Sequence, residues 1–258
     1  MLEAGWPGVE AAALASAIIL EYTGMGRAAQ MAFGDRVPDD DAAARIEDAA
    51  VRAAAGEPLQ YIFGYTEFCG HRIEVGPGVL IPRPETEEMT MAIIHAHSGF
   101  TGTVTDLCTG SGCIAIALSL AFPGAAVTAT DLSDAALSVA RRNISRTRAA
   151  VSLRKSDILT DEPSVVPLCE LLVSNPPYVT MGEKAAMHRN VLDNEPHEAL
   201  FVPDDDPLLY YRAIASVAET RLLPGGTAWL EVNENLAKET AALFASPLYR
   251  EVQVIRDI

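Results

Sequence analysis

Asn175, Pro176, Pro177 and Tyr178 are the residues whose types and spacing most directly suggest chemistry. They follow a short apolar run, 170–174, that reads as a buried strand. Each proline fixes its own φ and pushes its predecessor away from the helical region, so the four residues make a stiff turn. Such a turn can hold a planar amino group. The Asn175 side chain and the Pro176 backbone each offer a carbonyl oxygen, and the Tyr178 ring offers a flat face. These features suit a nitrogen atom that is being modified, with all four residues as candidates for catalysis and for holding the substrate.

A second cluster could hold the donor of the transferred group. Asp106, Cys108, Thr109, Gly110, Ser111 and Gly112 join what reads as a strand at 104–106 to a helix at 113–122. Glycines there let backbone N–H groups approach a ligand closely, with a helix N-terminus behind them. Gly110, Gly112 and Ala115 also satisfy the G-x-G-x-x-G/A spacing of a dinucleotide site, so the loop alone leaves NAD and S-adenosylmethionine both open. Asp131 closes the second strand and could accept from the ribose hydroxyls of either. Two features favour the sulfonium. Asp106 stands at the tip of the first strand, where a dinucleotide would bring negative phosphates. Asp157 follows the third strand, where its carboxylate could accept from an adenine amine while Ile158 packs on the ring. Taken alone, Asp157 reads equally well as a cap or turn residue.

The elements that must position these residues follow from composition and periodicity. Residues 1–58 are rich in alanine and broken by Gly24, Gly26, Gly34 and Pro38, a pattern for short helices packed on small side chains. Residues 59–84 turn aromatic and β-branched, and 61–69 with 71–75 read as a hairpin turning at Gly70, followed by a stiff connection through Pro77, Pro82 and Pro84. From residue 85 strands and helices alternate. Strands are expected at 104–106, 126–130, 151–155, 170–173, 227–232 and 251–255. Helices are expected at 113–122, 133–143, 207–221 and 236–244, the second of these capped by Ser133. This is a doubly wound, mostly parallel α/β sheet with a small helical domain before it.

A chain of 258 residues with a formal charge of -16 has no run of Lys or Arg able to track a phosphate backbone, which disfavours nucleic acid as the main substrate. Cys69, Cys108, Cys113 and Cys169 form no CxxC pair and have no histidine at ligand spacing, so reduced thiols are expected and a metal site is not. Met1 to Trp6 lacks the positive charge of a leader, and the apolar run 11–20 ends at Glu21, well short of a span of roughly 20 apolar residues. A soluble, cytoplasmic monomer is the expectation.

With the glycine loop, the Asn175–Tyr178 turn resembles amino-methyltransferases that modify planar nitrogens, both adenine-N6 and glutamine-amide enzymes. Residues 58–64, 80–87, Asn194 to Pro196 and Ala199-Leu200 are similar to the peptide chain release factor N5-glutamine methyltransferases, over a stretch from about residue 15 to the end. The resemblance implies a Rossmann-like class I methyltransferase domain, a β-hairpin linker and a small helical N-terminal domain that binds substrate. It implies S-adenosylmethionine as methyl donor, S-adenosylhomocysteine as product, and the glutamine of the Gly-Gly-Gln motif in class 1 release factors as acceptor. By position, Asn175 and the Pro176 carbonyl would accept from the substrate amide, Tyr178 would cover its plane, and Ile81, Pro82 and Arg83 would line the opening. For Arg83 a surface ion pair with Glu85 or Glu87 competes with that role.

The sequence departs from the family at Cys108, where a third glycine is usual, at 202–207, and at Asn233-Glu-Asn235, where Gly and Gln are usual. It also stops one strand short of the family's terminal antiparallel pair, which predicts a truncated chain or an open sheet edge. The competing readings are an adenine-N6 methyltransferase on nucleic acid, a glutamine methyltransferase of a ribosomal protein, an NAD-dependent oxidoreductase and a non-catalytic scaffold. No side chain stands out as a base, and His188 and His197 read as surface or structural histidines.

Overall fold

The computed structural model describes residues 7–256, so the readings of Met1 to Trp6 and of Asp257-Ile258 lie outside the described residues. Residues up to Tyr65, with His188–Asn194, make one compact unit, and Thr66–Met187 with the chain from Glu195 onward makes a second.

The first unit is helical: α1 (Gly8–Thr23), α2 (Arg27–Ala32), α3 (Asp40–Ala54) and α4 (Leu59–Phe63). Helix α1 stops at Gly24, whose φ of 70° lets its N–H turn back to Leu20 O. Helix α3 starts on Asp39, which accepts from the Ala42 amide at 2.8 Å, with Asp40 and Asp41 against the positive end of the helix dipole. The core is Ile18, Ala49, Ala53 and Ile62, closed by Tyr22 standing edge-on to Phe63 at 6.0 Å. Small alanines let these helices approach, as the composition suggests. Residues 61–63, read from their aromatic content as part of a strand, instead belong to the helix α4. Pro58 sets the extended entry and Gly64, at φ 79°, the exit. Packing of Ile62 in the helical core overrides the local β preference.

Strand β1 (Tyr65–Phe68), which belongs to the second unit from Thr66 onward, and β2 (His71–Glu74) form a two-stranded hairpin. There follow α5 (Pro84–Ala96), β3 (Thr103–Leu107), α6 (Cys113–Ala121), β4 (Ala126–Asp131), α7 (Asp134–Thr147), β5 (Val151–Lys155), β6 (Cys169–Ser174) and β7 (Val179–Thr180). After α8 (Arg189–Asn194), which belongs to the helical unit, come β8 (Phe201–Val202), α9 (Leu209–Arg221), β9 (Leu222–Leu230) and α10 (Ala237–Leu243).

The central sheet is parallel, in the order β5-β4-β3-β6-β9. Its direction of build reverses between β3 and β6, which makes the C-terminal ends of those two strands the crevice of the sheet. Strand β6 is buried at every residue except Glu170, as an interior parallel strand must be, and α6 is apolar nearly all round and buried from Cys113 to Ser119. Asn143 of α7, wholly buried, donates to Glu74 O at 3.0 Å and to Ser111 O at 2.9 Å and accepts from Glu74 N at 2.7 Å. One side chain thus fastens the hairpin to the glycine loop.

The strand expected at 251–255 does not form. That segment carries the right alternation, but a strand exists only when its N–H and C=O groups find a partner, and 251–256 is exposed with no ladder. Among the described residues the sheet therefore ends at β9, paired on one side by β6. No helix among them is long and apolar enough to cross a membrane.

Ile18 is fully buried at the centre of the helical core. Ile18→Ala should cost that unit about 2–5 kcal/mol. Hydrogen exchange should accelerate through 8–63 while the central sheet keeps its protection; uniform acceleration across both units would contradict the separate core.

Candidate active site

Everything in the crevice depends on how β3 and β6 end. Leu107 and Ser174 stand opposite each other in the ladder, and the Ser174 hydroxyl donates to Leu107 O at 2.8 Å. The loop after β3 and the turn after β6 therefore leave the sheet side by side. One cleft, wholly within the second unit, is lined by Thr109, Gly110 and Ser111 of the first, Asn175 and Pro177 of the second, and Asp131 and Asp157 from the neighbouring strands.

The loop itself turns on two glycines with different duties. A Cβ at Gly112, where φ is 83°, would meet Ala140 Cβ at 3.2 Å, so this glycine lets α6 and α7 close together. A Cβ at Gly110, φ 56°, would touch nothing and would stand in the open cleft, the mark of a backbone kept bare for a ligand. Cys108 has φ 58°, a left-handed conformation that costs a non-glycine residue about 1–2 kcal/mol. This explains physically why glycine is the expected residue there.

Two carboxylates shape the field. Asp106 is wholly buried; its Oδ2 accepts from the Thr109 hydroxyl at 2.5 Å while its Oδ1 has no hydrogen-bond partner. Burial pushes its carboxyl up to about 7, more than the Thr109 hydroxyl pulls it down. Asp131 accepts from Gly110 N at 2.8 Å and Ser133 N at 2.9 Å, and burial again raises it against those bonds. The Asp157 side chain accepts from Leu159 N at 3.0 Å and the Thr160 hydroxyl at 3.0 Å, so it caps its own turn while lining the cleft beside Ile158. Glu198 adds a further acid to the lining, and no Lys or Arg is among the lining residues. Such a cleft repels a pyrophosphate and attracts a cation.

The turn is held from behind by residues that motif reading passed over. Asn175 Nδ2 donates to Thr86 Oγ1 at 3.0 Å, Thr86 donates to Glu231 Oε2 at 2.6 Å, and Tyr178 donates to Glu231 Oε1 at 2.8 Å. Burial raises Glu231, and it raises Tyr178 further beside that carboxylate. A usable signal for Glu231 was its place: it follows β9 directly, an acid at a strand's C-terminal end like Asp106 and Asp131. Asn233, one of the departures noted above, donates to Tyr178 O at 3.2 Å and to Glu183, and its own N–H bonds the Tyr211 hydroxyl at 3.1 Å. The departure therefore braces the turn rather than lying clear of it.

Of the residues expected at the opening, Pro82 lines the cleft, joined by Leu80. Ile81 is buried, its N–H donating to Glu195 Oε2 at 3.0 Å. Arg83 pairs with neither Glu85 nor Glu87 but with Glu195, at 2.7 Å, whose side chain is 1% exposed. Sequence distance hid that partner, 112 residues away. His188 accepts from Asn190 N at 3.4 Å, and His197 stands edge-on to Phe201 at 5.3 Å. Among the described residues no His, Cys, Asp and Glu group could hold a metal ion.

Known proteins resemble the chain along its length. A family model described as methyltransferase small domain matches residues 68–200, and one described as PrmC N-terminal domain matches residues 5–64. The release factor glutamine methyltransferase of Bacteroides thetaiotaomicron is 44% identical over 213 residues, 83% of this chain and 76% of that protein. That of Bordetella pertussis is 38% identical over 259 residues, 100% of this chain and 93% of the other. Among solved structures the likeness is more distant. Ribosomal protein L11 methylase of Lactobacillus delbrueckii subsp. bulgaricus gives a TM-score of 0.46 at 22% identity, covering 67% of this chain and 73% of that one, so kinship rests on the sequence relatives.

Arg83 is the only cation bonded to a carboxylate that has almost no water, among the ion pairs of the described residues. Arg83→Ala should therefore cost about 3 kcal/mol in urea unfolding, by leaving Glu195 uncompensated. Adding Glu195→Gln should recover much of that loss; an Arg83→Ala protein as stable as wild type would show that Glu195 does not depend on the pair.

Proposed function

The chain belongs to the release factor glutamine methyltransferase family. From that premise and the geometry of the cleft, we infer that it moves a methyl group from S-adenosylmethionine to the side-chain amide nitrogen of the glutamine in the Gly-Gly-Gln motif of a peptide chain release factor. S-adenosylhomocysteine is the other product. The observation that carries this reading is a single acidic cleft holding both the bare glycine loop and Asn175.

The residues present fit the donor. Gly110 leaves space where a side chain would stand, and the lining is acidic, with Asp131, Asp157 and Glu198. When bound, S-adenosylmethionine supplies an electrophilic methyl on a positively charged sulfur. Gly110 and the loop around it would take the backbone side of the ligand, Asp131 the ribose hydroxyls, and Asp157 with Ile158 the adenine. The same acids oppose an NAD pyrophosphate.

An amide nitrogen is a poor nucleophile because its lone pair is delocalised into the carbonyl, so alignment must do most of the work. Holding the reacting atoms about 3–3.5 Å apart removes a large entropic part of the barrier. Asn175 Oδ1 and the Pro176 carbonyl would accept the two N–H groups and favour positive charge growing on nitrogen. Tyr178 would cover the plane of the amide. The released proton can pass to water. The charge of -16 and the absence of a basic recognition segment weigh against an adenine in nucleic acid as acceptor.

Asn175→Ala should abolish methyl transfer to a release factor, followed by mass spectrometry of the modified glutamine, while calorimetric affinity for S-adenosylmethionine changes little. Retained turnover would sink the role given to Asn175. Asp131 accepts best when ionised, and burial raises it, so cofactor affinity should be full above the raised pKa and fall as pH drops through it, starting nearer neutrality than for an exposed aspartate at about 4. Asp131→Asn should bind more weakly at neutral pH and lose much of that slope. If wild-type affinity is flat down to about pH 4, the ribose has been misplaced.

A further inference from the structure

Asn175 can turn either its oxygen or its amino group to the cleft, and the two choices have opposite chemistry. Only the oxygen can accept from a substrate N–H. Which one faces the cleft is decided by what the other end of the amide meets, and that is Thr86 Oγ1 at 3.0 Å. A hydroxyl has one proton. At Thr86 it is committed to Glu231 Oε2, 2.6 Å away, because an ionised carboxylate only accepts. The Thr86 oxygen is then left with lone pairs, which suit the Asn175 NH2 and repel the Asn175 oxygen. The second carboxylate oxygen of Glu231 is taken up by the Tyr178 hydroxyl at 2.8 Å, so the same charge also orients the ring that follows the two prolines.

We propose that Glu231 and Thr86 are positioning residues that set the polarity of Asn175, the ionised carboxylate dictating through the Thr86 hydroxyl that the Asn175 oxygen is the group left to accept. This rests on the reading that Asn175 accepts from the substrate amide. It extends that reading to Thr86, which lines the cleft beside Asn175, and to Glu231, which does not line it. Protonation of Glu231 reverses the chain. The new O–H can donate to Thr86, freeing the Thr86 proton for the Asn175 oxygen, and the acceptor offered to the substrate is lost. The groups facing Glu231 are Arg83, which favours the charged form, Glu85, which opposes it, and the hydroxyls of Thr86, Tyr178 and Tyr211. Burial outweighs the bonds from Thr86 and Tyr178, so the reversal falls closer to neutrality than for an exposed glutamate.

The full-length enzyme with a release factor tests this at saturating S-adenosylmethionine, where titration of Asp106 and Asp131 no longer limits binding. Thr86→Val, which keeps the shape and removes the hydroxyl, should lower kcat by about tenfold or more, with cofactor affinity little changed, and Thr86→Ser should restore it. The wild-type kcat should show an acid limb that Glu231→Gln removes. The side-chain NH2 resonances of Asn175, identified by their loss in Asn175→Ala, should shift with the same titration in wild type and not in Glu231→Gln. Those resonances need no substrate, so they test the polarity even if the acceptor proves not to be a release factor. If Asn175→Ala is inactive while Thr86→Val turns over like wild type and the Asn175 resonances ignore pH, the function stands and the positioning role is overturned.

Discussion

The parallel pairing of β3 with β6, closed by the Ser174 hydroxyl on Leu107 O, is the contact on which the site depends. These strands come from segments nearly 70 residues apart, and their register is what brings the loop at Gly110 and the turn at Asn175 out on the same edge. A parallel sheet makes this natural, since all its strands end on one side and the reversal of strand order opens a crevice there. Had β6 paired one residue out of register, its side chains would have exchanged faces, and Asn175 would have pointed away from the glycine loop.

Behind that edge, polar groups are arranged in layers. Asp106, Asp131 and Glu231 each stand at or just beyond the end of a strand, and each is raised by burial rather than by a like-charged neighbour acting alone. Their hydrogen-bond partners differ, and so do their uses. Asp131 is engaged by backbone amides and braces the loop, whereas Glu231 is engaged by two hydroxyls and braces the turn. Asn233 and Tyr211 add a further support to the turn from the chain after β9 and from α9. The stiffness of two consecutive prolines would be of little use without these anchors, because a rigid turn still has to be aimed.

Several elements were legible because local rules and tertiary needs agree on them. Ser133 caps α7, Gly24 ends α1, and β5 runs over the residues expected from its alternation. Residues 61–63 and 251–255 were misread for one reason: aromatic or alternating residues describe a preference, and the partner decides. Ile62 found a helical core, and 251–255 found no neighbouring strand. Arg83 was read against nearby acids in the chain, since only sequence distance was visible, and its actual partner is Glu195.

From the sequence alone came the chemistry: a turn able to hold a planar amino group, a glycine loop, the acids at the strand ends and the family that combines them. Those depend on residue type and short spacing, which a chain carries unfolded. Tertiary structure decided which group of Asn175 is engaged and by what, that Asp157 caps its own turn, that Arg83 serves Glu195, and that Thr86 and Glu231 stand behind the site. The Asp157 bonds are local, to Leu159 and Thr160, but the others are hydrogen bonds or an ion pair that do not exist until segments far apart in the chain have been brought within 3 Å or so of one another.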